Sequence, residues 1–198
     1  MTGDTRRPWR ALPLLLAAVV GGLIVWFVLS VAGLPAGETG SRVPSTRSES
    51  APSAPVPRGA QEAVVERVVD GDTVIVDLEG ARTRIRLLNI DTPETVAEDR
   101  PIECLGPEAS AFTRELLPEG AEVRLAFDVE RTDQYDRTLA AVFTEDGRNV
   151  SVELARRGLG RAVSYGDNVR WFDDVEEAEA DARDQRVGLF DPDLECAR

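Results

Sequence analysis

The run Arg84–Thr95, RIRLLNIDTPET, carries Arg86 into an apolar stretch and ends in two carboxylates, Asp91 and Glu94, set around Pro93. A second acidic pair, Asp70 and Asp72, flanks Gly71. The chain has 198 residues and no histidine, and its basic residues are all arginine. The usual neutral-pH general base is therefore missing. Acid–base chemistry must come from carboxylates, tyrosine, thiol, or a bound metal with its water. Arginine stays charged at any working pH and suits bidentate binding of anionic oxygens.

The formal net charge of -13 sets a limit on function. Such a chain is not drawn non-specifically to nucleic acid, which carries the same sign. A nucleic-acid function then needs a local site or a cation that reverses the sign.

These side chains need elements to position them. EAVVERVV and TVIVDL read as strands on either side of Asp70-Gly71-Asp72, and Glu79-Gly80 predicts a hairpin turn into TRIRLLNI. GPEASAFTRELLPEG predicts a helix with Pro107 in its first turn and Pro118 as its stop. EVRLAFDV and TLAAVFT are strands joined by the polar loop ERTDQYDR. NVSVELARRG predicts a second helix, capped by Asn149 and stopped at Gly158. A last helix is expected from about Asn168 to Arg186, with Trp171, Phe172, Val175, Ala178 and Ala182 as its apolar stripe. Five strands and about three helices describe an α+β domain, a five-stranded barrel of the OB type. Arg86 and Asp91 are five residues apart, so on a regular strand they point to opposite faces. A barrel bend or a turn must bring them together.

The rest of the chain has a different character. Residues 1–10 are basic, and residues 11–34 carry no charge, a length that can cross a bilayer. Arginines before this run and none just after it place the N-terminus in the cytoplasm. The run reads as a single transmembrane helix at the cell membrane. Secretion after signal-peptide cleavage is the alternative. Residues 35–61 are rich in Pro, Ser and Ala and form a tether, and residues 62–198 form the folded domain. Cys104 and Cys196 are the only cysteines, and an exported domain lets a disulfide between them persist. Two free thiols are the other reading.

Four segments identify a family. VVDGDTVIV, RIRLLNIDTPET, GPEASAFT and RTDQYDRTLA occur in this order within a stretch from about Val64 to Phe190. Together they resemble the staphylococcal nuclease (thermonuclease) family. The resemblance implies a calcium-dependent phosphodiesterase acting on DNA or RNA. It implies that Asp72, Asp91 and the backbone carbonyl of Thr92 are calcium ligands. Glu94 would orient or deprotonate the attacking water, and Arg86 and Arg137 would grip the phosphate. Calcium takes 6–8 oxygen ligands, a need that aspartates, a carbonyl and water can meet. Asp70 reads equally as a turn former and as a supporting metal group.

The sequence also departs from the family. The loop before Arg137 often carries Lys-Tyr-Gly in the family, but here it is Gln134-Tyr135-Asp136. A later pair of tyrosines is reduced to Tyr165, with Val163 in the other place. Tyr135 and Tyr165 remain as expected nucleotide contacts. The competing functions are a catalytically weak OB module that binds nucleic acid, and a protein-interaction domain of the envelope.

Overall fold

The structure, a computed structural model, describes residues 56–95 and 102–194. The apolar run 11–34, most of the tether and Cys196 lie outside the described residues. Among the described residues no helix is long and apolar enough to cross a membrane.

The strands are β1 (Gln61–Val68), β2 (Thr73–Leu78), β3 (Ala81–Leu87), β4 (Ile90–Asp91), β5 (Glu122–Ala126), β6 (Thr138–Phe143) and β7 (Arg161–Ala162). Five of them close a barrel in the order β1-β2-β3-β6-β5. β3 and β6 run parallel and the other neighbours antiparallel, so the barrel is mixed. The β2–β3 hairpin turns at Glu79-Gly80, and both residues have positive φ, as a two-residue hairpin turn needs. The two-residue strands β4 and β7 form a separate ribbon that no sequence pattern anticipates.

The uneven alternation in β6 and at the end of β3 has a physical cause, because β6 and the last turn out of β3 are buried on two sides. Ile85, Leu87, Ala140 and Val142 fill the main core with Val65, Val74, Val76 and Leu125. Leu88, Leu139, Ala141 and Phe143 pack instead in a second cluster around Trp171. There the Trp171 ring meets Phe143 edge-on at 6.1 Å. Val56 and Ala60, just before β1, pack against this second cluster.

Helix α1 (Gly106–Leu116) carries Pro107 in its first turn, and α2 (Val150–Arg156) is capped by Asn149, whose side chain accepts from the Ser151 N–H. Gly158 follows α2 with φ of 64°. Helix α3 (Phe172–Gln185) begins four residues later than the sequence predicts. Asn168 lies outside it, and Trp171 stands at its N-cap position. The Asn168 side chain is buried, accepting from the Glu130 N–H at 2.8 Å and donating to the Glu130 carbonyl at 3.2 Å. It clasps two loops together, and the helix starts only after that clasp.

Candidate active site

β3 delivers Arg86 and then stops. Leu88 and Asn89 form a turn, with Asn89 at φ 62°, a conformation that asparagine tolerates better than most residues. The Asn89 amide donates to the Asn168 carbonyl at 2.7 Å, which holds the turn. The chain then enters β4 with Asp91 beside Arg86. The bend required by the odd sequence separation is this turn.

Arg86 is buried, and its guanidinium ties the site together. Nη1 donates to the carbonyls of Leu87 and Ile90 at 2.8 and 2.7 Å. Nη2 donates to Asp91 Oδ1 at 2.9 Å and to the Tyr165 hydroxyl at 2.6 Å, and lies 3.0 Å from Asp72 Oδ2. The Tyr165 hydroxyl in turn reaches Asp91 Oδ1 at 3.5 Å. Burial pushes the Tyr165 phenol up to about 12, so it stays protonated.

Asp72 is 4 % exposed. Its Oδ2 accepts from both the backbone N–H and the hydroxyl of Thr92, at 2.9 and 3.0 Å. Its Oδ1 accepts from the Thr73 hydroxyl at 3.2 Å. Gly71 is needed for this approach, because a Cβ there would stand 2.5 Å from Thr92 Oγ1. Helix α1 clamps the same turn from behind, with the Thr113 hydroxyl donating to the Gly71 carbonyl at 2.6 Å.

Asp70, Asp91 and Glu94 all hold their protons more tightly than usual. Asp70 is pushed up to about 6, by burial first and by the Asp72 charge second. Asp91 and Glu94 are raised by burial and by Asp72, with Arg86 opposing. Glu103 adds to the repulsion at both. It also braces the Glu94 loop, accepting from the Glu94 N–H at 3.1 Å while its own N–H donates to the Glu94 carbonyl at 3.0 Å.

These groups suit a hard divalent cation. The donors are all oxygen, and crowded carboxylates that repel one another gain from an ion of opposite charge. Among the described residues, no group of three Asp, Glu, His or Cys side chains is already arranged to hold a metal. A cation bound at Asp72 and Asp91 would need further oxygens, from backbone or water, to complete its shell.

Arg137 is held by Asp133, not by its neighbour Asp136. Its Nε donates to Asp133 Oδ2 at 2.7 Å and its N–H to Asp133 Oδ1 at 2.9 Å. Its guanidinium lies 5.4 Å from the centre of the exposed Tyr135 ring. Arg86, Arg137, Tyr135 and Tyr165 line one cleft of about 260 Å³ with Glu130 and Asp133. The structure thus brings together Asp72, Asp91, Thr92 and Arg86 as one cluster. It connects them through Arg86 and Tyr165 to Arg137 and Tyr135. Two larger hollows, of about 420 and 500 Å³, lie around Glu122 and Glu145, each lined by acidic and apolar side chains with one arginine, and contain none of these residues.

Sequence reasoning did not single out Thr113, Glu103, Asp133 or Asn168. Asp133 could have been found, because it lies four residues before Arg137 in a turn-forming loop. The other three act across 9 to 42 residues, and no local pattern marks them.

A closed OB-type barrel whose β3 end gathers carboxylates around a buried arginine defines a small α+β domain. The chain belongs to the staphylococcal nuclease family: residues 84–191 match the family described as Staphylococcal nuclease homologue. It is similar to the Thermonuclease of Staphylococcus intermedius, with 40% identity over 65% of this chain and 75% of the relative. It is also similar to the Thermonuclease of Staphylococcus hyicus, with 42% identity over 64% and 73% respectively. Endonuclease YncB of Bacillus subtilis (strain 168) shares 34% identity over 64% of this chain and 60% of its own length.

Proposed function

We propose that the chain is a calcium-dependent phosphodiesterase that hydrolyses DNA, RNA or both outside the cytoplasmic membrane. Its similarity to thermonucleases and endonucleases makes it a hydrolase of the nuclease class. The observation that carries the finer reading is the joining of Asp72, Asp91 and Tyr165 on one Arg86 nitrogen, beside the Glu94 loop.

In this reading Asp72, Asp91 and the Thr92 carbonyl hold calcium. When bound, the ion offsets the carboxylate charge and stabilises negative charge on the phosphate oxygens. Glu94 is the only proposed base. Burial and the Asp72 charge raise its proton affinity, which makes it a stronger base toward the attacking water. The water oxygen bonds to phosphorus, the bond from phosphorus to the leaving oxygen breaks, and a proton from solvent neutralises the leaving oxygen. Arg86 and Arg137 face the charge that builds on the phosphoryl oxygens, where each such donor contributes about 3–4 kcal/mol. Tyr135 and Tyr165 border the cleft that would take the adjoining nucleotide.

The location rests on residues 11–34, read as an uncleaved anchor with the N-terminus in the cytoplasm. The test is digestion of single-stranded DNA and of RNA by the full chain in mild detergent, with calcium or with chelator. Cleavage that requires calcium supports the reading. Equal cleavage in excess chelator refutes the calcium role, and no cleavage of either polymer refutes the activity.

A further inference from the structure

Arg161 opens β7, directly across the short ribbon from Asp91 in β4. Residues paired in this way have Cα atoms about 4.5–5.5 Å apart and side chains on the same face. Gly160 permits the approach, since a Cβ there would stand 2.8 Å from the Ile90 side chain and 3.0 Å from the Asp91 carbonyl.

The surroundings of the Arg161 side chain are unusual. It is 57 % exposed, and its guanidinium lies 5.2 Å from the centre of the Phe190 ring. The carboxylate facing it, Glu179, is 4.0 Å away, beyond hydrogen-bond distance. Glu179 is already engaged: Oε1 takes Arg183 at 2.6 Å and Oε2 takes the Ala162 N–H at 2.6 Å. Arg183 is 58 % exposed and stacks on the same ring at 4.9 Å. Two arginines are thus steadied by one buried carboxylate and one aromatic ring. Among the described residues, no acceptor takes a hydrogen bond from the Arg161 side chain.

We propose that Arg161, backed by Arg183, binds a backbone phosphate of the nucleic acid next to the one being cleaved, outside the Tyr135 cleft. This rests on the nuclease reading above. Successive phosphates follow closely along a strand, about 3.4 Å of axis apart in a duplex. A strand whose scissile phosphate meets Arg86 must place a neighbouring phosphate near the β4–β7 ribbon or in the cleft. In the cleft Arg86 and Arg137 are taken by the phosphate being cleaved, and Glu130 and Asp133 oppose a second one, whereas the ribbon offers a pre-positioned cation with open donors. In an otherwise strongly acidic chain, such a pair supplies the local reversal of sign that a polyanion requires.

The test is binding of a labelled single-stranded oligonucleotide of about a dozen nucleotides, a length suited to one OB barrel, at several salt concentrations with calcium present. It uses the full chain carrying Glu94→Gln, so that the probe survives. Adding Arg161→Gln should weaken binding roughly fivefold and flatten the salt dependence by about 0.7 of a log unit per log unit, the value for one lost contact on a single strand. Arg161→Lys should recover most of the affinity, and Arg183→Gln should give a smaller loss. Arg82→Gln, which removes an equal charge on the β2–β3 hairpin, should change neither quantity. Unchanged affinity and salt slope in Arg161→Gln would overturn the proposal, as would an equal loss in Arg82→Gln. If Arg161→Gln does not fold, the Arg183→Gln result decides in the same way. If binding depends on Arg161 and yet the chain with native Glu94 cleaves nothing, the nuclease reading fails and the phosphate contact stands.

Discussion

Arg86 Nη2 lies 2.9 Å from Asp91 Oδ1, although five residues separate them and the first belongs to a strand on which such residues diverge. The Leu88–Asn89 turn makes the contact, and Arg86 then fastens the turn by donating to the Leu87 and Ile90 carbonyls. One side chain is both anchor and candidate catalyst. Arg86→Lys keeps the charge but cannot reproduce this planar fork. Cleavage should fall at least about a hundredfold, the scale of one lost transition-state donor. Stability should fall by about 1–3 kcal/mol, because a buried carbonyl loses its donor. Steady-state rates and melting curves read the two effects separately. A lysine variant matching wild type in both would show that charge alone suffices.

Glu94→Gln keeps shape and removes the base. The rate should drop about 10²- to 10⁴-fold while oligonucleotide affinity stays near wild type. A base works only when deprotonated, so the wild-type rate should rise with pH through the Glu94 pKa. Without calcium, burial and the charge of Asp72 raise that pKa; a bound ion that offsets the Asp72 charge should draw the limb back toward the ordinary glutamate range. The variant should lose this limb. If its residual rate keeps the same limb, the titrating base is another group.

Asp70 gives a stability effect with a definite sign. Its carboxyl moves from 3.8 to about 6 on folding, through burial and the Asp72 charge. Between those values the folded state binds more protons than the unfolded state, so stability falls as pH rises. The penalty is complete above about pH 6 and absent below about pH 4, and a two-unit shift bounds it at about 3 kcal/mol. Asp70→Asn should therefore melt higher than wild type at pH 7 in chelator, with little difference at pH 4. A variant less stable at pH 7 would mean that the charged form of Asp70 is favoured by folding.

Much of this fold is legible in the amino-acid sequence. The hairpin at Glu79-Gly80, the Pro107 start of α1 and the Asn149 cap of α2 are local signals, and each acts as its chemistry dictates. The fault at Asn168 is instructive. An asparagine before an apolar stripe has the local chemistry of a cap, but here a loop 38 residues away claims the side chain. The β4–β7 ribbon escaped for a related reason, since two-residue strands have no period to detect. The carboxylates and arginines could be named from their types. Their convergence on one guanidinium nitrogen could not, because it depends on the direction of a turn.

The proposed Cys104–Cys196 bridge has its own test. Cys104 is not a free thiol. Closing a loop of about 90 residues gives roughly 4–5 kcal/mol in the chain-entropy picture. Intact mass after alkylation, with and without reductant, should show two modified thiols only after reduction of exported protein. The reduced protein should also melt lower. Two alkylated cysteines without reductant would remove the bridge.

Gly71→Ala tests whether the Asp70–Asp72 turn must touch the Asp91–Glu94 loop. The added Cβ would stand 2.5 Å from Thr92 Oγ1, 2.8 Å from Thr92 Cβ and 3.0 Å from the Ala109 side chain. Thr92 cannot yield easily, because its N–H and hydroxyl are both bonded to Asp72. Nor can the turn retreat freely, since Thr113 holds the Gly71 carbonyl from α1. Relief must come from parting Asp72 from Thr92, which separates the two aspartates proposed to share one ion. Overpacking of this kind costs about 1–3 kcal/mol. The calcium required for half-maximal cleavage should rise about tenfold or more, as it does when about 1.4 kcal/mol of binding is lost. Thr113→Val is the comparison: it should lower stability by about 1–3 kcal/mol through the unpaired carbonyl and affect calcium demand much less. Equal shifts in calcium demand for the two variants would mean that general loosening, and not the Asp72–Thr92 contact, governs the site.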